Sequence, residues 1–192
     1  MFKRDDLNDF TLFDPKKDSE SIITKAPGLY AILLRPGSSM PKSKFKIPYT
    51  PCMVNYQGQE YELIYVGISD KGLYERDYKR HFNGTAGSST LRKSLGSLMG
   101  LTKTFRSEKE KTRTSGTVKT KFIKEDEENL SKWMNSNLLL LFKTASNRDE
   151  IETKMIAELN PPLNIQKNIN SVNADYRKML SSLRNDLSDL KK

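Results

Sequence analysis

Two residue types that build metal and disulfide sites are nearly missing from this chain. Its 192 residues include one cysteine, Cys52, and one histidine, His81. A single cysteine excludes a disulfide framework within the chain and is typical of a protein kept in a reducing cytoplasm. A single histidine excludes a multi-histidine zinc site. We therefore expect a cytoplasmic protein that is held together by a hydrophobic core rather than by cross-links.

Long apolar runs are missing as well. No stretch approaches the roughly 20 apolar residues that span a bilayer. The first residues, Met-Phe-Lys-Arg-Asp-Asp, lack the apolar run of a signal peptide. The sequence therefore predicts a soluble protein that does not have a membrane as its partner.

Positive charge, in contrast, is abundant. The chain has 33 Lys and Arg residues against 24 Asp and Glu residues, a formal net charge of +9. This excess favours a polyanionic partner, because each phosphate neutralised by a cation releases counterions. A ribosome-like tail or contact with an acidic membrane surface would fit the same charge. Much of the excess lies in residues 103–124, with eight cations and two acids; this basic segment either grips phosphates or is a solvated loop.

The pattern of apolar residues predicts a mixed α/β (α+β) domain. Short β-rich runs alternate with stretches of helical periodicity, and glycine or proline marks most of the breaks. The predicted strands cover 28–34, 62–66 and 137–142, with weaker strand signals at 45–47 and 118–123. The predicted helices cover 73–82, 91–101, 125–134, 149–159 and 174–192.

Three parts of the chain are expected. Residues 1–27 form an N-terminal extension that packs on the domain, residues 28–170 form the domain itself with 103–124 as a basic insertion, and residues 171–192 form a C-terminal amphipathic helix. Leucines recur in that helix at spacings of three and four residues. Such a stripe docks on its own domain or forms the coiled-coil contact of a homodimer.

Five ordered elements carry a resemblance to a known family. In chain order they are Gly28-Leu29-Tyr30, Tyr65-Val66-Gly67, a helix with Arg76 and His81, Glu152 in a late helix, and Asn164 after two prolines. The set resembles the GIY-YIG nuclease superfamily, and the run from His81 to Arg92 is similar to its bacterial, restriction-endonuclease-like members. The resemblance implies a small three-stranded antiparallel sheet flanked by helices. It also implies divalent-metal-dependent cleavage of phosphodiester bonds in DNA.

Glu152 is the candidate metal ligand. At about 100° per residue, it falls among Ile151, Met155 and Ile156, inside the apolar arc of its helix, so its carboxylate needs a partner. Mg²⁺, for which Mn²⁺ can substitute, would supply this partner, because it binds through one carboxylate plus waters and substrate oxygens. The resemblance implies the same role.

The remaining roles follow from the resemblance. Tyr30 would receive a proton from the attacking water, directly or through a relay, and Tyr65 would hold the phosphate or the water network, although which tyrosine is the base stays open. A phenol with a pKa of about 10 needs nearby positive charge for this task. His81 would act beside Tyr30, and Asn164 would brace the active-site side chains by hydrogen bonds.

Arg76 departs from the pattern of the family. Three residues usually separate this arginine from the histidine, whereas here four intervene and Asp77 occupies the expected position. On an α-helix Arg76 and His81 would lie about 140° apart, too far to reach one phosphate. Either Arg76 precedes the helix, or Arg80 shares the task of binding the scissile phosphate.

Together these features predict a Mg²⁺-dependent DNA endonuclease, acting in restriction or defence, or in DNA processing such as repair or mobile-element nicking. The alternative, kept open by the spacing of Arg76, is a catalytically impaired module of the same fold that only binds nucleic acid. The candidates for contacts with DNA phosphates are Lys71, Arg80, Arg92, Arg106, Arg113, Lys119 and Lys121.

Overall fold

One antiparallel sheet forms the middle of the protein, in a computed structural model that describes residues 7–191. The strands are β1 (Thr11–Phe13), β2 (Gly28–Leu34), β3 (Met53–Tyr56), β4 (Gln59–Ser69), β5 (Lys103–Phe105), β6 (Thr120–Phe122) and β7 (Leu138–Thr144). Five of them make the main sheet in the order β1-β7-β2-β4-β3, and β5 pairs with β6 in a separate small sheet.

Helices cover both faces of the main sheet. The α-helices are α1 (Thr90–Met99), α2 (Glu108–Lys111), α3 (Lys124–Asn137), α4 (Arg148–Leu159) and α5 (Ala174–Asn185). A π-helix, Tyr74–Phe82, lies between β4 and α1, and two short 3₁₀ helices cover Glu20–Ile22 and Ser188–Lys191. Within residues 7–191, none of the helices combines the length and apolar character needed to cross a bilayer.

Strand β2 is buried along its whole length because each face packs against a separate core. Leu29, Ala31 and Leu33 belong to a cluster that includes Met155 and Ile156 of α4. The alternate side chains, Tyr30 among them, belong to a cluster built with the π-helix, α1, α3 and α5. This double burial explains why β2 reads as a continuous apolar run rather than as alternating apolar and polar residues.

The expected three-stranded sheet is wrong in its strand count. The predicted strands are present as β2, β4 and β7, but β1 pairs with β7 and β3 pairs with β4, which adds a strand at each edge. Strands of three and four residues are too short to show a convincing alternation. The predicted strand signal at 45–47 does not correspond to a strand, and the true strand begins at Met53.

A tight turn was missed between β3 and β4. Gln57 and Gly58 connect the paired residues Tyr56 and Gln59, and both have positive φ, at 51° and 82°. Two successive positive φ values are typical of the turn that best matches the twist of a hairpin. The usual sequence signal is Asn-Gly or Asp-Gly, so glutamine at the first position concealed it.

The α-helix predicted over 174–192 ends at Asn185, before Leu187 and Leu190 of the leucine stripe. The part of the stripe that lies in α5 packs within the chain. Tyr176, Met179, Leu180 and Leu183 are buried in the core cluster shared with α1. Of the two interpretations of this stripe, docking on its own domain therefore accounts for the buried side chains.

A buried ion pair connects the π-helix, α1, β6 and α3. The guanidinium of Arg92 in α1 is fully buried and donates to Oε2 of Glu127 in α3, from Nη2 at 2.8 Å and from Nε at 3.1 Å. Its Nη1 donates to the carbonyls of His81 and Phe82 at the end of the π-helix.

The other carboxylate oxygen of Glu127 is fully used as well. Oε1 accepts the backbone N–H of Ala86 at 2.8 Å and that of Phe122 in β6 at 3.1 Å. Removing this carboxylate would leave a buried guanidinium and two buried amides without their acceptor, which is among the most destabilising changes a core can suffer.

We predict that Glu127→Gln lowers the free energy of unfolding by about 3 kcal/mol, measured by urea denaturation, because it uncouples a buried charge. The neighbouring Glu128 is the matched control, since its side chain is 58% exposed and lies 3.9 Å from Lys124. Glu128→Gln should change the free energy by less than about 0.5 kcal/mol. Equal effects of the two substitutions would contradict the structural role given to Glu127.

Candidate active site

The segment Tyr74–Phe82 is a π-helix, in which hydrogen bonds join residues five apart instead of four. One such bond runs from the amide of Asn83 to the carbonyl of Tyr78 at 3.0 Å. Residues five apart therefore share one face of this helix. Arg76 and His81 have this spacing, and both side chains reach the hydroxyl of Tyr30. The π-helix thus brings Arg76 and His81 together despite the extra residue between them. Neither of the two expected arrangements, Arg76 before the helix or Arg80 sharing its task, included a π-helix.

A buried chain of three polar groups begins at Tyr30. Its hydroxyl lies 2.7 Å from Nε2 of His81, and Nδ1 of His81 lies 2.6 Å from Oγ of Ser89. The same Oγ caps α1 by accepting the backbone N–H of Arg92 at 3.1 Å. His81 is therefore held at both ring nitrogens, and its ring cannot turn without breaking a hydrogen bond.

Both members of the Tyr30–His81 pair are neutral near pH 7. Burial lowers the pKa of His81 well below its usual value, and the positive charges of nearby arginines act in the same direction. Burial also raises the pKa of Tyr30 well above its usual value, and the side chains of Tyr65 and Asp77 add to the effect. A neutral imidazole in contact with a phenol can accept the phenolic proton.

Gly67 makes room for the Tyr30 side chain. The two residues are partners across β2 and β4. A Cβ built at position 67 would lie 2.4 Å from the Tyr30 hydroxyl, well inside contact distance. Any other residue at this position would displace the phenol from His81, which is a physical reason for glycine in the second motif.

The two tyrosines differ in their access to solvent. Tyr30 exposes none of its surface, whereas Tyr65 is half-buried and its hydroxyl lies 3.1 Å from Oγ1 of the exposed Thr90. The ring centroids of the two tyrosines are 6.2 Å apart. Tyr65 therefore presents the hydroxyl that a bound molecule meets first, and Tyr30 lies beneath it.

Glu152 lies in α4 and is 9% exposed, as its place in the apolar arc predicted. Its Oε2 is 2.6 Å from Nζ of Lys167, which lies in the loop that follows α4. The hydrogen bond to Glu152 raises the pKa of Lys167, so the lysine stays charged. One carboxylate oxygen, Oε2, is thus paired with Lys167, while Glu152 also contributes to the wall of a cavity.

Asn164 braces β4 between the second tyrosine and the glycine. Its Oδ1 accepts the N–H of Val66 at 2.9 Å and its Nδ2 donates to the carbonyl of Val66 at 2.8 Å. The neighbouring amide of Leu163 donates to the carbonyl of Ile64 at 3.0 Å. Asn164 therefore braces the backbone of the strand that carries Tyr65 and Gly67.

Most of the predicted site residues line one cavity of about 300 Å³. His81 is not in its wall and lies behind Tyr30, to which it is hydrogen-bonded. The predicted residues that line the cavity are Tyr30, Tyr65, Arg76, Glu152 and Asn164.

A family model described as the GIY-YIG catalytic domain matches residues 28–186, which is most of the chain. The chain belongs to the GIY-YIG family. GIY-YIG domains are generally endonucleases, so membership indicates a nuclease-type function and implies DNA as the substrate. A comparison with curated proteins and another with solved structures each found no match.

One predicted DNA contact of this GIY-YIG domain is wrong. Arg92 is fully buried and bound to Glu127, so it cannot contact a DNA phosphate. Arginine is so rarely buried that the sequence favoured a surface position, and its partner lies 35 residues away.

The other predicted DNA contacts remain on the surface or close to it. Arg113 is paired with Glu110, and Lys121 is half-buried in β6. The basic segment is ordered into β5, α2 and β6 rather than forming one long loop. The exposed candidates are Lys71, Arg80, Arg106, Arg113 and Lys119.

Several residues of the cavity wall were not foreseen from the sequence, among them Thr90, Lys167 and Arg184. Lys167 has a left-handed backbone with φ 62°, for which no pattern gave a signal. Arg184 did leave a signal, because on a helix it lies about 40° from Leu180, next to the apolar stripe. A charged residue beside an apolar stripe indicates a functional contact, as it did for Glu152 in α4.

Asp77 is the residue that the π-helix adds between Arg76 and His81. It is fully buried, and neither of its carboxylate oxygens has a hydrogen-bond partner among residues 7–191. Its Oδ1 lies 3.9 Å from Nε2 of His81. Burial raises the pKa of Asp77 well above its usual value, which favours the protonated form of the group.

We predict that His81 stays neutral well below pH 6.5 in the folded protein. Because the folded state binds this proton less readily than the unfolded chain, the stability that His81 contributes is lost as the pH falls below about 6.5. The raised pKa of Asp77 changes stability with pH in the opposite direction. A profile of stability against pH would therefore combine the contributions of His81 and Asp77.

Nuclear magnetic resonance separates them, since the chain has a single histidine and its ring signals need no assignment. The folded protein should show an imidazole midpoint well below 6.5, or no titration before unfolding. In urea the same signal should titrate near about 6.5. A midpoint near that value in the folded protein would show that His81 is not buried between Tyr30 and Ser89.

Proposed function

We propose that this GIY-YIG protein is a divalent-metal-dependent endonuclease that hydrolyses phosphodiester bonds of DNA by attack of water on phosphorus. The observation that carries the proposal is the presence of Tyr30, Tyr65, Arg76 and Glu152 around one cavity. Hydrolysis needs a group that takes a proton from water, a cation for the developing charge and a ligand for the metal. The cavity offers a candidate for each.

The proton is taken up by Tyr30 and passed to His81. As the oxygen of water bonds to phosphorus, the bond from phosphorus to the departing strand-end oxygen breaks, and that oxygen takes a proton from solvent. The proton of the attacking water moves to the phenol oxygen of Tyr30, while the proton that Tyr30 carried moves to Nε2 of His81. The relay leaves Tyr30 neutral and His81 positively charged for a moment. Burial and the surrounding arginines oppose that charge, so His81 readily gives the proton up again.

The phosphate is held by Arg76 and Tyr65. The Nε of Arg76 donates to the Tyr30 hydroxyl at 3.4 Å and Nη1 donates to the carbonyl of Ser88 at 3.4 Å. These contacts fix the guanidinium plane at the cavity wall and leave Nη2 for a phosphate oxygen. Tyr65 offers its accessible hydroxyl to the same phosphate.

Glu152 is the residue that would hold Mg²⁺ or Mn²⁺. Residues 7–191 contain no cluster of three or more potential metal-binding His, Cys, Asp or Glu side chains. One nearly buried carboxylate in an open cavity still fits Mg²⁺, which commonly keeps several waters and binds protein through one or two carboxylates. The ion, when bound, supplies positive charge to the oxygens of the phosphate undergoing attack.

The proposed setting is restriction, defence or other DNA processing, and the net charge of +9 suits a DNA-bound protein. One active site cuts one strand, so cleavage of both strands takes two protein molecules or two successive events. The alternative of a binding module rested on the spacing of Arg76 and His81. Because a π-helix accommodates that spacing, no specific observation now favours the alternative.

We predict that the protein nicks supercoiled plasmid in the presence of Mg²⁺ or Mn²⁺, and that Glu152→Gln and Tyr30→Phe each reduce the rate at least about a hundredfold. The first removes the metal ligand and the second removes the proton acceptor. Agarose gels of plasmid over time measure both.

Glu150→Gln is the matched control, since Glu150 is an exposed residue of the same helix and pairs with Lys154. It should nick at the rate of the unchanged protein. Nicking that survives Glu152→Gln would point to a contaminating nuclease. If no form of the protein cuts with either metal, the hydrolytic proposal fails and the binding module takes its place.

We also predict that Lys167→Met increases the affinity for Mn²⁺ about fivefold, because the lysine no longer competes for Glu152. Lys154→Met removes the same charge from an exposed pair on α4 and serves as the control. Electron paramagnetic resonance of free Mn²⁺ during titration measures binding without any DNA or cleavage. Equal affinities for the two variants would mean that Glu152 does not bind the cation.

A further inference from the structure

Arg184 of α5 lines the cavity without an internal partner. It is half-buried and forms no hydrogen bond or ion pair within residues 7–191. Burial lowers the pKa of Arg184, and the nearby phenol of Tyr65 opposes that effect. A guanidinium that is partly removed from water and left uncompensated is unfavourable in the free protein.

The other buried or half-buried arginines of the described chain all have partners. Arg35 binds Asp14, Arg76 binds Tyr30, and Arg92 binds Glu127. In addition, Arg148 binds Asp70 and Arg177 binds Asn160. Arg184 is the exception, and it is the one that faces the candidate active site from the C-terminal helix.

A second cation next to Arg184 is also without a partner. Lys93 in α1 is half-buried and makes no ion pair or side-chain hydrogen bond within residues 7–191. Burial lowers the pKa of Lys93, and the charges of Arg184, Lys103 and Arg106 add to the effect. These cations repel one another in the free protein, so an anion placed among them would relieve both the repulsion and the lost hydration.

The geometry points to a second phosphate-binding site: Arg184 binds a backbone phosphate of the DNA strand in the cavity, and Lys93 of α1 and Arg106, which follows β5, extend this site. This inference rests on the proposed nuclease function. The second site takes part in neither metal binding nor proton transfer. Arg76 and Arg184 would approach the strand from different helices, with Tyr65 between Arg184 and the buried Tyr30. A DNA backbone supplies successive phosphates and therefore suits two such arginines.

The test measures binding of a fluorescent DNA duplex to the 192-residue chain carrying Glu152→Gln, in EDTA and at several salt concentrations. Adding Arg184→Ala should weaken binding about tenfold, as expected for the loss of a charged hydrogen bond. It should also reduce the salt slope by about 0.9, the value for one phosphate contact. Arg184→Lys should keep the slope and lose part of the affinity, because lysine lacks the planar fork of donors.

Lys178→Ala is the matched control, since it removes one positive charge from the exposed side of the same helix. It should change affinity less than about twofold. The melting temperature of the Arg184→Ala variant should equal or exceed that of its parent, because no internal partner is lost.

Three results would overturn the inference. Arg184→Ala could bind like Lys178→Ala while the unchanged protein still cuts DNA, in which case the proposed function stands and this site does not exist. A melting temperature that falls together with affinity would show a structural role for Arg184. Absence of any DNA binding by the unchanged protein would overturn both proposals.

Discussion

The buried pair of Arg92 and Glu127 is the interaction on which the candidate active site depends. Arg92 holds the carbonyl of His81 with its side chain, and its backbone N–H binds the same Ser89 hydroxyl that contacts the His81 ring. Glu127 completes the arrangement by holding the loop amide of Ala86 and the β6 amide of Phe122. The position of the histidine is thus fixed from both its main chain and its ring. Without the carboxylate, the guanidinium would be a buried charge with no counterion.

The π-helix turns an irregular sequence spacing into a regular spatial one. An extra residue between Arg76 and His81 would send them to different faces of an α-helix, whereas hydrogen bonds of five-residue span bring them back together. The extra residue, Asp77, makes this arrangement less stable, because its carboxyl group is buried without a hydrogen bond to residues 7–191. Such strain is typical of functional sites, where a less stable local structure is kept for the geometry it provides.

The sequence predicted the parts of the site that follow ordinary strand and helix periodicity. The two tyrosines were placed by short strand motifs, and Glu152 by its position in an apolar arc. The π-helix could not be predicted because an angle of 100° per residue was assumed for every helix. Lys167 lies in a loop with a left-handed backbone, and Arg184 approaches from a helix that the motifs do not include. Arg92 was wrongly predicted to lie at the surface because its counterion is distant in the sequence. Strands β1 and β3 were not predicted because they are very short.

The contact between Lys167 and Glu152 sets the resting charge of the cavity. Its wall contains three cations, Arg76, Lys167 and Arg184, and one carboxylate, which belongs to Glu152. Because Lys167 pairs with that carboxylate, the wall carries a net positive charge, which would attract a strand of DNA. Under the proposed function, this resting charge would favour DNA over a free divalent ion as the first molecule to bind in the cavity.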